Sequence, residues 1–537
     1  MYICRMRFLA TILFSLAFCA PVGAQGYSYY ENSQFDPFQR EMYFVGNKTL
    51  HSSMRSYKLD DIRQYYDVDS LIYRGIARST KKKNIFRNLI HDDMLSWRDD
   101  ETYLAINPFC DFSVGKDGDR NTYINSRGFY VNGNLGRNFW FYMDFTENQA
   151  QFQEYFEEIS EKYRVVPSLS NYKHETGKDI DYQTATGYIG FNISKWFDFQ
   201  LGKTKTFIGD GYRSLLLSDA ACAYPMIKMN VTAGNVKYMF MIAQLRTTDR
   251  HKTSNHGFTT KYSFTHYVDW NFCNRFAVGV FENVVMATWR NDGDYRGIDW
   301  EYINPFIILR PGEFNAGSPD KMLVGLNAKF VAADWLSFYG QLMFNEFRLS
   351  ELMSDKKYWS NKYGYQIGLR TKDLFRVDGL DWLMEFNYVR PFCYSQYEGM
   401  ATYTHHGGPL AHPLGANFKE LVSSVTYNHK RLSVRGQFNY SQYGGDFPND
   451  TLSYGHDPNI ASVKRNSQYG VKILQGDLNK IVYGDFAASF LINPRSRLNA
   501  TLGMRFRSRK SDLIDEEKST QFYFALRWSL KNMYYDF

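Results

Sequence analysis

Apolar and polar side chains alternate strictly along several segments of this chain. In residues 431–441, RLSVRGQFNYS, one face carries Leu432, Val434 and Phe438, while polar and charged residues occupy the other face. Residues 498–507 alternate in the same way. A period of two predicts β-strands, and an apolar face opposite a charged face is typical of strands that separate lipid from a watery lumen.

The last alternating segment lies close to the C-terminus. Its apolar face carries Phe522, Phe524, Leu526, Trp528 and Leu530. The chain then ends at Phe537. A terminal aromatic residue after an alternating strand resembles the signal that outer-membrane assembly machinery reads, so we expect that machinery to be a partner of Phe537.

Short turns and long connections follow one another between the alternating segments. The short turns are predicted at 135–138, 194–198, 233–235, 270–274, 332–335, 372–380, 429–430 and 493–496. The other connections are predicted at 114–120, 147–183, 207–224, 248–256, 291–320, 349–361, 392–417, 443–479 and 509–518. Short periplasmic turns and longer outer loops are typical of outer-membrane barrels. The pattern predicts an all-β fold, a transmembrane antiparallel barrel of about 18 strands.

Two regions show helical spacing instead. These apolar residues are Phe86, Ile90, Met94 and Trp97 before the first strand, and Phe152, Phe156, Ile159 and Tyr163 in an outer loop. The first set predicts short helices over residues 57–100, on the periplasmic side or inside the barrel. The second predicts a helix over 149–163 that packs on the barrel rim or a neighbouring loop.

The N-terminus has the layout of a secretory signal peptide. Arg5 and Arg7 precede an apolar stretch, and small residues end at Ala24. The predicted organisation is a signal peptide over 1–24, a periplasmic or plug segment over 25–101 and the barrel over 102–537.

Composition supports a barrel in the outer membrane. Aromatic residues make up 18% of the chain, although its mean hydropathy is only −0.46. Such rings collect in girdles at the two membrane interfaces, so outer-membrane lipids are expected neighbours. The net charge of +7 comes from scattered cations and indicates no nucleic-acid partner. The widely spaced cysteines predict neither a disulfide framework nor a zinc site.

A run of three leucines, Leu215 to Leu217, lies in one predicted outer loop. Such a run would not remain exposed to water, so the loop is expected to fold inward over the lumen. Residues 306–309 form a similar apolar run in the loop at 291–320. Two such loops predict a lid or plug with a small core of its own.

Two stretches carry a family resemblance. Residues 209–225, GDGYRSLLLSDAACAYP, and 302–330, YINPFIILRPGEFNAGSPDKMLVGLNAKF, resemble signature stretches of the capsule-assembly Wzi-like outer-membrane proteins. The branch in the Bacteroidetes that includes the RemB-type gliding-motility proteins is more similar. The resemblance implies an eighteen-stranded, occluded barrel that attaches or organises surface polysaccharide. The RemB-like branch implies a role in motility or adhesion instead.

The resemblance also points to particular residues in these two loops. They are Gly209, Gly211, Arg213, Ser214, Ser218, Asp219, Asn304, Pro305, Arg310 and Pro311, to which the neighbouring Glu313 is added. The two glycines permit a positive φ in a tight reversal. The two arginines could bind acidic sugars, or the pairs Arg213–Asp219 and Arg310–Glu313 could anchor the loops to the barrel wall.

Enzymatic alternatives have weaker support. His405, His406 and His412 share one predicted loop, but no carboxylate or nucleophile is spaced to complete a metal or catalytic site. Neither Ser214 nor Ser218 lies in a nucleophile elbow. An acidic patch over 291–301 lacks the calcium-binding loop pattern. We therefore expect no enzyme activity, cofactor or metal.

The predicted function is attachment or organisation of surface polysaccharide by a non-enzymatic outer-membrane barrel. Two alternatives remain open at this point. One is a gliding-motility or adhesion protein. The other is a general porin with an open lumen lined by Arg435, Arg505, Arg507 and Arg527.

Overall fold

A computed structural model shows an antiparallel barrel that closes on itself. It describes residues 26–29, 31–44, 49–77, 84–99, 101–174, 179–247, 258–289, 295–306, 320–346, 349–352, 356–397 and 399–537. In these residues the wall consists of eighteen strands, as predicted. The first nine are β1 Tyr103–Asp117, β2 Arg120–Leu135, β3 Phe139–Gln151, β4 Ile180–Asn192, β5 Phe197–Thr204, β6 Tyr224–Ala233, β7 Val236–Arg246, β8 Thr260–Cys273 and β9 Phe276–Ala287. The others are β10 Lys321–Ala333, β11 Leu336–Glu346, β12 Lys362–Thr371, β13 Leu380–Val389, β14 Phe418–His429, β15 Leu432–Gly445, β16 Asp477–Asn493, β17 Leu498–Lys510 and β18 Glu517–Trp528.

Each wall strand pairs with its neighbours in chain order, and β18 closes the barrel against β1 with Gln521 opposite Asp117. All eight predicted short turns connect consecutive strands. The alternation is also confirmed: Val434 and Phe438 face outward and are exposed, whereas Gln437 is buried in the lumen. A period-two pattern is reliable here because one face of every strand meets lipid.

The prediction for the end of the chain is wrong in one respect. Strand β18 ends at Trp528, and Leu530 is buried against the N-terminal segment rather than exposed to lipid. Residues 529–537, here called the C-terminal tail, leave the wall and enter the lumen.

Among the described residues, four short helices precede the wall. They are α1 Gln39–Phe44, α2 Leu59–Arg63, α3 Val68–Ile72 and α4 Ile85–His91. The predicted helix through Met94 and Trp97 is wrong, because α4 ends at His91 and a short strand, Leu95–Arg98, pairs with β1. The side chain of Asn493 donates hydrogen bonds to the Asn88, Leu89 and Asp92 carbonyls, so this turn of the wall binds carbonyls at the end of α4.

The described residues between 26 and 99, here called the N-terminal segment, precede the wall and partly fill its lumen from the periplasmic side. His51 bonds to Asp269 at 2.8 Å, and the Tyr27 hydroxyl donates to Asp198 at 2.8 Å. Both carboxylates belong to the barrel wall. The predicted signal peptide, residues 1–24, lies outside the described residues.

In the described parts of the outer loops there are two further α-helices, α5 Glu154–Tyr163 and α6 Leu349–Leu352. Short 3-10 helices occur at Trp300–Ile303, Leu374–Arg376, Gly399–Ala401 and Ser462–Lys464. Helix α5 confirms the predicted outer-loop helix, although its first predicted residues continue β3. Among the helices in the described ranges, none has the length and apolar character needed to cross a membrane.

Candidate functional site

The loop between β5 and β6, residues 205–223, folds into the lumen and is here called the inserted loop. Leu215, Leu216 and Leu217 are buried completely or almost completely. The hydroxyls of Tyr394 and Tyr403 donate to the Leu215 and Leu216 carbonyls at 2.9 and 2.8 Å. The expectation that this loop folds inward is confirmed, and burying three leucines stabilises its position.

The inserted loop packs against a loop that the sequence pattern did not identify as its partner. Residues 390–417, between β13 and β14, supply the two tyrosines and also Ala411, whose carbonyl accepts from the Ser218 hydroxyl. The expected partner was the 291–320 loop, but there Phe306 is 74% exposed. Residues 307–319 lie outside the described residues.

Arg213 is the main polar anchor of the inserted loop. Its side chain is 1% exposed and forms ion pairs with Glu420 at 3.1 Å and Asp536 at 2.8 Å. Burial lowers the pKa of Arg213, but the two carboxylates outweigh burial and raise the pKa well above its ordinary value. The expected Arg213–Asp219 pair is wrong, because Asp219 instead accepts from the Tyr534 hydroxyl at 2.7 Å.

The two candidate serines act as hydrogen-bond donors within the plug. The Ser214 hydroxyl donates to the Ile208 carbonyl at 2.5 Å, across the base of the inserted loop. Both Ser214 and Ser218 are buried. These contacts favour loop anchoring over direct glycan contact for the candidate residues of this loop.

The two candidate glycines are required for different reasons. Gly209 has a φ of +139°, as the predicted tight reversal implies. Gly211 does not have a positive φ, so that part of the prediction is wrong. Gly211 is required because its backbone lies very close to the barrel wall. A Cβ at this position would lie 2.4 Å from a carboxylate oxygen of Glu385.

The C-terminal tail crosses the lumen toward the outer loops. Lys531 contacts Asp144 of the wall, and the Asp536 carboxylate accepts from Gln437 at 3.0 Å and Asn439 at 2.7 Å. Phe537 packs against α5, with its ring 6.2 Å from that of Phe156. Phe537 therefore does not end a strand in the folded protein.

The described part of the loop between β9 and β10, residues 295–306, faces outward. Tyr295, Trp300 and Phe306 are strongly exposed, with Trp300 at 77%. Asn304 is exposed and accepts a hydrogen bond from the Phe306 amide at 3.1 Å, while the Pro305 carbonyl accepts from the Tyr238 hydroxyl. Tyr295 and Trp300, here called the aromatic patch, lie near the outer end of β9, where the Arg296 amide donates to the Thr288 carbonyl and the Asp299 amide contacts Met286. Phe306 lies lower, on the lipid-facing side of the wall, because Tyr302 packs on Phe264 and Val284.

Some predicted residues cannot be placed. Arg310, Pro311 and Glu313 lie outside the described residues. Of the acidic patch, Asp299 pairs with Arg296 at 3.2 Å and caps a 3-10 turn, which indicates a local structural role.

The three loop histidines are buried or half-buried rather than mobile. Burial lowers the pKa of His405, of His406 to about 4, and of His412. His412 also bonds to Glu420 at 2.7 Å. Within the described ranges, no three metal-ligating side chains come together.

The four arginines expected to line an open pore do face the lumen. Arg435 pairs with Asp485 at 2.6 Å, and Arg507 bonds to the Phe537 carbonyl at 3.3 Å. Arg505 lies over the Tyr535 ring at 3.8 Å, and Arg527 pairs with a wall carboxylate at 3.5 Å. These side chains therefore meet the C-terminal tail or the wall rather than an open channel.

Sequence reasoning missed Glu420, Asp536 and the aromatic patch. The sequence does contain a signal for Glu420, because this charged residue occupies a lumen-facing position of an alternating strand. Asp536 has none, because the path of the C-terminal tail depends on contacts across the lumen. The exposed aromatic residues are indistinguishable by pattern from interface girdle residues.

Comparison with known proteins places this fold. No family model and no curated protein sequence matches the chain. The structure is similar to that of Wzi, an outer-membrane protein involved in group 1 capsule assembly in Escherichia coli and described as a carbohydrate-binding β-barrel. The TM-score is 0.55 at 12% identity, over 94% of this chain and 100% of that one. The chain has a Wzi-like barrel fold.

Porin structures are less similar. OprD from Pseudomonas aeruginosa has a TM-score of 0.42 at 9% identity, over 79% of this chain and 94% of that one. OccAB2 from Acinetobacter baumannii has a TM-score of 0.42 at 10% identity, over 80% and 98% of the two chains. The closed antiparallel barrel with exposed apolar residues on its outer face places this protein in the outer membrane.

Proposed function

We propose that this protein attaches or organises polysaccharide at the cell surface, without enzymatic activity. The observation that carries the proposal is the aromatic patch, Tyr295 and Trp300, exposed near the outer rim of a barrel whose outer half is filled. Aromatic ring faces can stack on the apolar faces of sugar rings, and their exposed area contributes most when it is covered by ligand. The similarity of the fold to a carbohydrate-binding barrel supports the same assignment.

In this proposal the inserted loop has a supporting role. Arg213, Ser214, Ser218 and Asp219 hold the plug together, so the loops around the patch rest on a filled barrel. Buried as they are, these residues anchor the plug and do not touch glycan. Asn304 is exposed in the same loop as the patch and is available to bond sugar hydroxyls.

Two competing functions make different predictions. A general porin requires an open lumen, which the buried leucines of the inserted loop oppose. A motility or adhesion role rests on the sequence resemblance. It predicts loss of surface spreading without loss of bound polysaccharide.

The test uses the host cell with the gene replaced by a Tyr295→Ala/Trp300→Ala variant. We expect polysaccharide to be shed into the medium, while the amount of barrel in the membrane is unchanged. The matched control is Trp335→Ala/Phe272→Ala, which removes two exposed rings at periplasmic turns. Surface spreading is scored on the same cells.

Equal retention of polysaccharide by the variant and the control contradicts the proposal. Retained polysaccharide with lost spreading supports the motility role instead. A large steady current through the wild-type protein in a planar bilayer supports the porin.

The role of Phe537 in assembly is a separate proposal. Recognition by the assembly machinery would take place before the C-terminal tail enters the lumen. Its test is a Phe537→Ala variant, which should lower the amount of barrel inserted in the membrane. Tyr397→Ala, in an exposed outer loop, is the control and should insert normally.

A further inference from the structure

A cavity of about 410 Å³ lies between the N-terminal segment and strands β12 to β16, and is here called the vestibule. Its mouth is formed by the periplasmic turns at Asp378 and Lys430, and its deep end by Tyr212 and Gln437. The same Tyr212 and Gln437 side chains bond to Asp536 of the C-terminal tail at 3.0 Å each. The vestibule therefore opens to the periplasm, and the tail lies across its inner end.

The walls of the vestibule carry more cations than carboxylates. The cations are Arg40, Arg74, Arg370, Lys430, Arg431, Arg435 and Arg497, and the carboxylates are Asp36, Asp378 and Asp381. Some cations are compensated. Arg40 pairs with Asp373 at 2.5 Å and Asp381 at 2.7 Å, and Arg435 has its partner in β16.

Three cations have no carboxylate partner among the described residues: Arg370, Lys430 and Arg431. Arg370 donates to the Asp210 carbonyl at 3.0 Å and lies over the Tyr43 ring at 4.1 Å. Arg431 donates to the Leu491 carbonyl at 2.9 Å. Carbonyls and rings orient a guanidinium without neutralising it, so positive charge is left facing the cavity.

We propose that the vestibule binds, from the periplasm, an anionic group such as the carboxylate or phosphate of an acidic oligosaccharide. Uncompensated arginines in a partly enclosed space attract and hold such a group through charge-assisted hydrogen bonds. The volume suits a small oligosaccharide, since ligand pockets occupy roughly 300–1,000 Å³. Ser33 and Ser489 also line the cavity and supply hydroxyl groups for sugar hydroxyls.

This site is distinct from the aromatic patch. The patch lies near the outer end of β9, whereas the vestibule lies inside the lumen beside β12 to β16 with its mouth at periplasmic turns, so the vestibule is loaded from inside the cell envelope. Binding here can succeed or fail independently of polysaccharide attachment at the outer surface.

The test is calorimetric titration of the purified full chain in detergent with three probes: trigalacturonate, inorganic phosphate and the neutral trisaccharide maltotriose. We expect trigalacturonate to bind and maltotriose not to bind. Arg370→Gln/Arg431→Gln should weaken trigalacturonate binding by at least about tenfold, because each lost cation removes a charge-assisted bond. Binding should also weaken as salt is raised.

Because Arg370 contacts the inserted loop, its replacement could also loosen the plug, and a second variant separates this effect from loss of the binding site. Lys430→Gln/Arg431→Gln changes only a periplasmic turn and should weaken binding in the same direction. The matched control, Lys464→Gln/Lys472→Gln, removes two exposed cations from an outer loop and should bind as wild type does.

The three probes also identify the anionic group. Phosphate binding without trigalacturonate binding supports the site and assigns it to a phosphate group. The proposal is overturned if neither anion binds wild type, or if maltotriose binds as well as trigalacturonate. It is also overturned if the control variant loses as much affinity as the vestibule variants.

Discussion

The two halves of the lumen are filled in different ways. In the outer half, the inserted loop and the 390–417 loop share an apolar core around Leu216, and the buried charge of Arg213 has two carboxylate partners. In the periplasmic half, the N-terminal segment packs an apolar core against the wall around Trp140 and also forms polar contacts to wall carboxylates, but it leaves the vestibule open beside β12 to β16. The outer half is built as a seal, whereas the periplasmic half retains space and uncompensated charge.

The difference has a physical basis. Excluding water requires close packing of apolar side chains, and any charge inside such a core needs a partner. A region that binds a ligand must instead keep water-filled space and polar groups that have no partner within the protein. We therefore predict that damage to the outer half opens the barrel, while changes at the vestibule or at exposed residues of the periplasmic half leave it closed.

The largest effect is expected for Arg213→Ala. The variant leaves Glu420 and Asp536 buried without their cation, which should destabilise the plug by about 3–5 kcal/mol. We expect steady current in planar bilayers where wild type shows none. Arg275→Ala, which breaks an exposed pair with Asp334, is the control and should remain closed. A closed Arg213→Ala variant contradicts the proposed seal.

A smaller loss is expected for Leu216→Ala. Removing this buried side chain from the core should cost about 2–5 kcal/mol of local stability. Hydrogen exchange at the Leu215 to Leu217 amides should become faster, and brief openings should appear in the current. Leu326→Ala, on the lipid-facing side of β10, should leave exchange in the inserted loop unchanged. Unchanged exchange in Leu216→Ala would show that the leucines do not hold the loop.

Acidification should destabilise the plug in the outer half, by less than the two substitutions above. Burial lowers the pKa of His405, His406, His412 and His456, so all four are neutral in the folded plug. The unfolded plug binds protons more readily, so this stability is present above about pH 6.5 and is lost as pH falls through the lowered folded pKa values.

The measurement is bilayer current between pH 7 and pH 4. We expect openings to increase on acidification in wild type and to increase less in His405→Gln/His406→Gln. His429→Gln, at a periplasmic turn, should retain the wild-type response. A response that does not differ between wild type and the double variant argues against these histidines as its cause.

The smallest effect is expected in the periplasmic half. Phe86 is strongly exposed on α4, so Phe86→Ser should change stability by no more than about 0.5 kcal/mol. Thermal unfolding and bilayer current should both match wild type. A large loss of stability would mean that α4 contributes to the seal, which would remove the contrast between the two halves.

The alternation of side chains, together with the succession of short turns and longer connections, was sufficient to predict the wall, its strand number of about 18 and its eight periplasmic turns. That signal is strong because every strand must meet lipid on one face and the lumen on the other. The leucine run at 215–217 predicted an inward loop for the same kind of reason, since an apolar run needs burial. Helix α5 followed from its period.

Contacts between distant segments could not be inferred in this way. The sequence does not indicate that Arg213 meets Glu420 and Asp536, that the 390–417 loop covers the leucines, or that the chain turns inward after Trp528. These features depend on contacts between side chains on opposite sides of the barrel. Such long-range contacts leave no periodic pattern in the sequence. The sequence by itself determined the barrel and the need to bury its loops. Only the tertiary structure decided how the lumen is sealed, because the seal consists of pairings between residues far apart in the chain.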